Sequence, residues 1–286
     1  MKDVLRIAIQ KSGRLNEQSI LLLKECGVKV GNGSSTLKSR ASNFPLETLF
    51  LRDDDIPQYI EDRVADAGIL GENVVHEKGK KVVILERLGF ARCRLALAVR
   101  KEDNYRGVSF FNGKKIATSY PEILKRFLKK NNVRAEIEEI SGSVEIAPGI
   151  GLADAIFDIV STGSTLFTNG LKEAETVMES QAVLIANPNL NNAKTEILDQ
   201  LLFRIKAVNN ARNNKYILLN APDKSLEKIC RILPGIKSPT ILPLAKKGWS
   251  SLHSVVKEDV FWEVIDELKK AGAEGILVVP IEKMVV

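Results

Sequence analysis

Apolar positions along the 286-residue chain switch between two spacings. Short β-type runs, VLRIAIQ (4–10) and LETLFLR (46–52), are separated by a helical pattern from about Asn16 to Cys26 that Gly27 ends. This alternation predicts an α/β fold. After RDDD, the segment IPQYIEDRV carries Pro57 early, where a missing N–H is harmless at a helix start, and Asp55 is the expected N-cap. DAGILGENV predicts a strand running into a glycine-bearing loop.

A second set begins near Cys93 with RLALAVR and continues through KKIATSYP, the helical EILKRFLKKNN, the strand AEIEEIS and ADAIFDIVSTG. Leu166 to Leu171 opens another element, and ETVMESQAVLIA (175–186) is expected as one strand with an irregular start. The polar loop NPNLNNAK leads into a helix whose Ile197, Leu198, Leu201, Leu202, Ile205 and Val208 form one apolar face. Asn209 to Asn214 is polar, as domain boundaries often are. The remainder parses as βαββαβ, the ferredoxin-like order, with Trp249, Phe261 and Trp262 expected in its core. The division expected is one lobe from 1–92 and 178–210, a second from 93–177, and a small module from 211–286.

Composition fits an ordinary globular protein: 44% hydrophobic and 27% charged residues argue against disorder and against a membrane protein. The net charge of +6 is spread among elements of both signs, without a dense basic stripe, and aromatics are only 6%. Nucleic-acid binding is therefore disfavoured against a small, multiply charged anion. Cys26, Cys93 and Cys230 are odd in number and widely spaced, which disfavours a disulfide framework. MKDVLRIAIQKSGRL reads neither as a signal peptide nor as a membrane span, so a cytoplasmic protein is expected. His76 and His253 are the two histidines, and no cysteine pair has ligand spacing, so a structural zinc site has little support.

The chemistry concentrates in Ser161-Thr162-Gly163-Ser164-Thr165. Hydroxyls donate hydrogen bonds, glycine permits a tight turn, and successive backbone N–H groups converge on one concavity, which suits a phosphate. A helix starting after Thr165 would add roughly 0.3 to 1 kcal/mol in favour of an anion. Asp154 and Asp158 stand just upstream, and carboxylates beside a phosphate are costly unless they serve hydroxyls, a cation or developing positive charge. Ribose hydroxyls and magnesium meet that condition. A buried strand ending in a hydroxyl-capped turn is the plainer alternative.

Other segments leave two readings open. Lys11 and Arg14 are either phosphate contacts on a glycine-bearing loop or a solvated basic turn. Arg52 either faces a cleft or flanks a helix start, while Asp66 and Gly71 belong either to a nucleotide loop or to an ordinary turn. Thr118, Ser119 and Tyr120 end a strand before Pro121, where open α/β sheets bind ligands, yet hydroxyl capping would also explain them. Glu145 is a third acid close in sequence to Asp154, and either a ribose contact or a surface charge accounts for it.

The strings QKSGRL (10–15), RDDDIP (52–57), DAGILGEN (66–73), KIATSYP (115–121), GSVEIAPGIGLADAIFDIVSTG (142–163), NGL (169–171), SPTILPLA and PIEKM occur in one order along nearly the whole chain. In this the chain resembles the ATP phosphoribosyltransferases that open histidine biosynthesis, in the long form with a C-terminal regulatory domain. The resemblance implies a two-lobed catalytic core of the periplasmic-binding-protein type II kind followed by the ferredoxin-like module. It implies transfer of a phosphoribosyl group from 5-phosphoribosyl 1-diphosphate to ATP, with Mg2+ carried mainly by the diphosphate. It assigns Glu145, Asp154, Asp158 and Ser161 to Thr165 to phosphoribosyl diphosphate, and Lys11, Arg14, Arg52, Asp66, Gly71, Thr118, Ser119 and Tyr120 to ATP or diphosphate. Ser238, Thr240 and Ala273 would contact histidine as feedback inhibitor, with dimers and hexamers as the assemblies. The arginine that some relatives place after the Ala-Pro pair is Gly149 here, so no phosphate contact is expected from it. The same two-lobed fold serves solute-binding proteins, which would require export.

Overall fold

In a computed structural model, described over residues 3–31, 36–233, 235 and 238–285, the chain divides into two compact units, Met1–Asp199 and Gln200–Val286. The first contains two sheets. β1 (Leu5–Gln10), β2 (Lys38–Arg40), β3 (Leu46–Leu51), β4 (Ala67–Gly71), β5 (Val83–Arg87) and β11 (Ala182–Ala186) make one, in the order β2-β3-β1-β4-β11-β5. β6 (Cys93–Arg100), β7 (Lys115–Thr118), β8 (Glu136–Glu139), β9 (Ala155–Val160) and β10 (Leu171–Ser180) make the other, in the order β10-β6-β9-β7-β8.

The two sheets share one plan. In the first, β1 lies between β3 and β4 and is parallel to both; in the second, β7 lies between β8 and β9 and is parallel to both. Each third strand, β4 or β9, then pairs antiparallel with the strand that enters from the other lobe, β11 or β6. An antiparallel strand, β5 or β10, closes that side. This is the two-lobed type II architecture expected from the sequence.

The helices follow the expected spacing. α1 (Arg14–Glu25) turns Ile20, Leu22 and Leu23 inward, and α2 (Ile56–Glu61) buries Ile56, Pro57 and Ile60. Asp55 does not cap α2 with its side chain, because Asp53–Asp55 already form a turn of 3-10 helix that leads into it. Residues after Gly71 form α3 (Glu72–Lys78) where a loop was expected; Glu72, Asn73, Val74 and Val75 are all buried, and a loop would leave those backbone groups without partners. α4 (Pro121–Lys130) and α5 (Ser164–Thr168) follow β7 and β9.

The run 175–186 is two strands and not one. β10 is an edge strand, mostly half-exposed, with two register shifts against β6, whereas every residue of β11 is buried between β4 and β5 in the first sheet. The chain therefore changes lobe at Gln181, and residues 178–180 belong to the second lobe, contrary to the boundary expected at 177.

α6 (Asn192–Arg212) runs unbroken through the asparagine-rich stretch expected as a boundary, and the C-terminal unit begins within it. β12 (Asn214–Pro222), α7 (Leu226–Ile232), β13 (Thr240–Pro243), β14 (Trp249–Lys257), α8 (Glu258–Lys270) and β15 (Glu274–Pro280) follow in βαββαβ order. Their antiparallel sheet runs β13-β14-β12-β15, the ferredoxin-like order. Ile217, Leu219, Leu252 and Val256 from the strands meet Ile229, Phe261 and Leu268 from the helices in one core. Trp262 is not part of it: 66% exposed, it sits edge-on to Phe261 on the outer side of α8. No described helix is long and apolar enough to cross a membrane, and Cys26, Cys93 and Cys230 form no disulfide.

Candidate active site at the carboxyl edges of the two sheets

Parallel strands end together, and the loops that follow them collect at one edge of each sheet. In the first lobe these are Lys11 to Gly13 after β1, Arg52 to Asp55 after β3, and Gly71 at the end of β4. In the second they are Ser119 and Tyr120 after β7, and Ser161 to Gly163 after β9. Open α/β sheets bind ligands at this edge.

Glu145, Asp158, Ser161, Thr162, Gly163 and Thr165 line one concavity of about 120 Å³, floored by Ile156, Val160 and Leu166. Gly163 stands at φ 79°, with open space where a Cβ would point, so glycine is needed for the backbone conformation and not for room. The Thr162 and Ser164 hydroxyls lie 2.9 Å apart, and Phe167 N–H donates to the Gly163 carbonyl to start α5. α5 is a little over one turn, so an anion here rests on the loop's N–H groups and hydroxyls more than on a helix dipole.

Electrostatics mark the same place. Burial, followed by the Glu145 charge, pushes the Asp158 carboxyl above the usual carboxylate range, opposed by the Ile159 N–H it accepts at 2.7 Å. Burial also pushes up the Tyr120 phenol, and Asp158 from the second lobe and Asp53 and Asp54 from the first add to it. Tyr120 therefore sits, protonated, where acids of both lobes converge. Asp53 is raised by burial and by Asp54. Such a concentration of strained acids marks a functional site and would be relieved by a cation or by positive charge on a substrate.

Lys11, Arg14 and Arg52 are exposed at the edge of the first sheet. Gly71 ends β4 and precedes α3, and a Cβ there would lie 2.3 Å from Asn73 Oδ1, so a larger residue would have to displace the Asn73 side chain. The hydroxyls of Thr118 and Ser119 are already used. Thr118 is fully buried and accepts the Tyr120 N–H at 2.8 Å; Ser119 donates to the Ile140 carbonyl at 2.7 Å. Of the three, Tyr120 is the side chain free to meet a ligand.

Asp66 and Asp154 lie at the opposite edge. Each precedes its strand, β4 or β9, and bonds its parallel neighbour: Asp66 accepts the Arg6 N–H at 2.8 Å, and Asp154 the Lys115 N–H at 2.8 Å. Asp66, 4% exposed, also holds Lys194 at 2.8 Å. Four residue steps along the strand, about 13 Å, separate Asp154 from Asp158. Both aspartates brace the starts of their strands and lie away from the carboxyl edge where ligand roles were expected of them.

Three residues that sequence reasoning passed over support the site. Arg94 on β6 grips Glu173 on β10 through Nε at 2.9 and 3.0 Å and Nη2 at 2.6 Å, and its Nη1 donates to the Ser161 carbonyl at 3.3 Å. The Ser161–Thr165 loop is thus tied from behind by a charged pair, and the guanidinium holds the Glu173 carboxyl below its usual range. The third, Glu77 on α3, bonds the start of α4. In the C-terminal unit, Ser238 and Thr240 are exposed at or before the edge strand β13, while Ala273, just before the opposite edge strand β15, is buried in the core.

Comparison with known proteins gives a consistent result. The family model for ATP phosphoribosyltransferase matches residues 52–207, and that for the C-terminal domain of the same family matches 211–283. An ATP phosphoribosyltransferase of Cytophaga hutchinsonii is 62% identical over all of this chain and all of its own, and one of Bacteroides thetaiotaomicron is 59% identical over 99% and 100%. Among solved structures, the ATP phosphoribosyl transferase (HisG:HisZ) complex from Thermotoga maritima is similar with a TM-score of 0.61 at 30% identity, covering 71% of this chain and 99% of that one.

Proposed function

The chain belongs to the ATP phosphoribosyltransferase family, and on that premise we propose that its two edges hold the two substrates of one pentosyl transfer. The Ser161 to Thr165 loop holds the 5-phosphate of 5-phosphoribosyl 1-diphosphate, and Asp158 faces the ribose. Lys11, Arg14 and Arg52 meet phosphate oxygens from the first lobe, and Tyr120 lies between. The adenine N1 lone pair forms a bond to ribose C1 as the bond from C1 to the diphosphate oxygen breaks, giving N1-(5-phosphoribosyl)-ATP and diphosphate. No strong base is required, since the attacking nitrogen carries no proton.

Catalysis then rests on position and charge. The observation that carries this reading is the raised Asp158 carboxyl on the same concavity as the phosphate loop. Positive charge growing at C1 returns to that carboxylate the stabilisation that burial removed. Magnesium, when bound, supplies neutralisation of the diphosphate. The fit is sound: Asp158 and Glu145 share one wall, and this ion commonly takes one or two carboxylates together with substrate phosphates.

Feedback inhibition by histidine belongs to the same proposal and draws its support from the C-terminal family domain. Ser238, Thr240 and Ala273 are its ligand candidates, and dimers and hexamers its expected assemblies. The test is direct: full-length protein with ATP, 5-phosphoribosyl 1-diphosphate and Mg2+ should release diphosphate and form the adenine adduct, and histidine should slow it. Substrate binding without adduct overturns the transferase reading, and an unchanged rate with histidine overturns the regulatory one.

A further inference from the structure

The start of α4 is capped from the other lobe. An α-helix leaves its first N–H groups without intrahelical partners, and a side chain at the N-cap usually accepts one of them. Here the N-cap is Tyr120, which makes no side-chain cap bond. Pro121 has no N–H to satisfy. Glu122 N–H donates to Glu77 Oε1 at 2.9 Å, Ile123 N–H donates to Glu77 Oε2 at 2.9 Å, and Leu124 N–H donates to the Tyr120 carbonyl at 3.1 Å. The account of the helix start is complete, and a carboxylate 45 and 46 residues away closes it.

A second bond runs the other way. Arg126 of α4 donates through Nη2 to the carbonyl of His76 at 2.8 Å, in the last turn of α3. The negative end of α3 takes a cation from α4, and the positive end of α4 takes an anion from α3, so each helix end is complemented by the other lobe. α3 is itself anchored to the first sheet. Its Glu72 is held by Arg87 of β5 at 2.6 and 3.1 Å.

We propose that Glu77 is the positioning residue that latches the two lobes, holding the Thr118–Tyr120 turn of the second against the acidic Asp53–Asp55 turn of the first. Because the cap comes from Glu77, position 120 is released from capping and carries a tyrosine into the site. The capping interaction that would ordinarily be local has become a bond between the two substrate-binding halves. Only the kinetic consequence rests on the proposed transfer reaction; the latch itself does not.

The experiment compares full-length wild type with Glu77→Ala and Glu77→Gln. In substrate-free protein, amide exchange at Glu122 and Ile123 should quicken about tenfold or more in Glu77→Ala, since bonds to a charged acceptor are lost, with β7 and β9 unchanged. Glu77→Gln, which keeps one accepting oxygen, should fall between. In the assay, KM for both substrates should rise about tenfold with kcat nearly unchanged, because a smaller closed fraction weakens apparent binding while saturating substrate restores it. Unchanged exchange at those two amides overturns the latch. Faster exchange with unaltered KM overturns its positioning role. If Glu77→Ala does not fold, Glu77→Gln decides by the same readouts, and if wild type forms no adduct the exchange measurement decides alone.

Discussion

Asp154 and Lys115 are joined by a reciprocal pair of bonds: the Lys115 N–H donates to Asp154 Oδ2 at 2.8 Å, and the Asp154 N–H donates to the Lys115 carbonyl at 2.8 Å. Asp66 and Arg6 repeat the arrangement in the other lobe, both bonds again at 2.8 Å. Each aspartate thus starts the pairing of two parallel strands. Asp154→Ala should therefore lower the melting temperature by about 2 °C, from the loss of roughly 1 kcal/mol, and leave kcat within about twofold. A large loss of turnover with unchanged melting would return Asp154 to the active site.

Asp158→Asn should do the reverse. Turnover should fall about 100-fold, as for the loss of one group aimed at transition-state charge, while the folded protein gains stability at neutral pH. The sign follows from the raised carboxyl. Its folded pKa lies above the unfolded value near 3.8, so the native state holds the proton more tightly, and stability falls as pH rises through that window. The mutant escapes this loss. Its advantage in thermal melts should be present at pH 7 and vanish below the unfolded pKa; an advantage that grows in acid would contradict the burial argument.

Gly163→Ala adds one methyl group in open space but forces a non-glycine residue to φ 79°. The strain, about 1 to 2 kcal/mol, is local to the loop. It should appear as a rise in KM for 5-phosphoribosyl 1-diphosphate of about tenfold, with KM for ATP little changed. Equal effects on both substrates would mean that the loop does not hold the phosphate.

Arg94→Ala removes the tie behind Ser161 and leaves Glu173 without its cation. KM for 5-phosphoribosyl 1-diphosphate should rise about fivefold. Arg94→Lys should recover only part of that, because one ammonium cannot reproduce the two-pronged grip on the carboxylate. Full recovery by lysine would show that charge alone matters at this position.

Most of the fold was legible because strand and helix periods alternate cleanly, and the Ser161–Thr165 loop because glycine and hydroxyls follow an apolar strand, Ala155–Val160, interrupted by one acid, Asp158. Asp66 and Asp154 misled for a physical reason. Each stands at the start of an apolar run, but its carboxylate is occupied by the backbone of a neighbouring strand 60 or 39 residues away, a bond that the local sequence does not show. Arg94 and Glu173 are 79 residues apart and meet only once β6 and β10 pair. The exposure of Trp262 was likewise hidden, since its helix is amphipathic and the rotation of one residue decides whether an aromatic faces in or out.

The placement of β11 has a consequence for how the protein is made. β11 is the strand between β4 and β5, yet residues 182–186 leave the ribosome after the whole second lobe. Until then β5 has no neighbour in its sheet and β4 keeps an open edge, whereas residues 93–180 can assemble all five strands of their own sheet as one contiguous stretch. The later lobe in sequence can finish first, and the N-terminal half of the site waits for a strand delivered from the far side of its partner. A nascent chain stopped before Ala182 should carry a formed second lobe beside a first lobe that still exchanges its β4 amides.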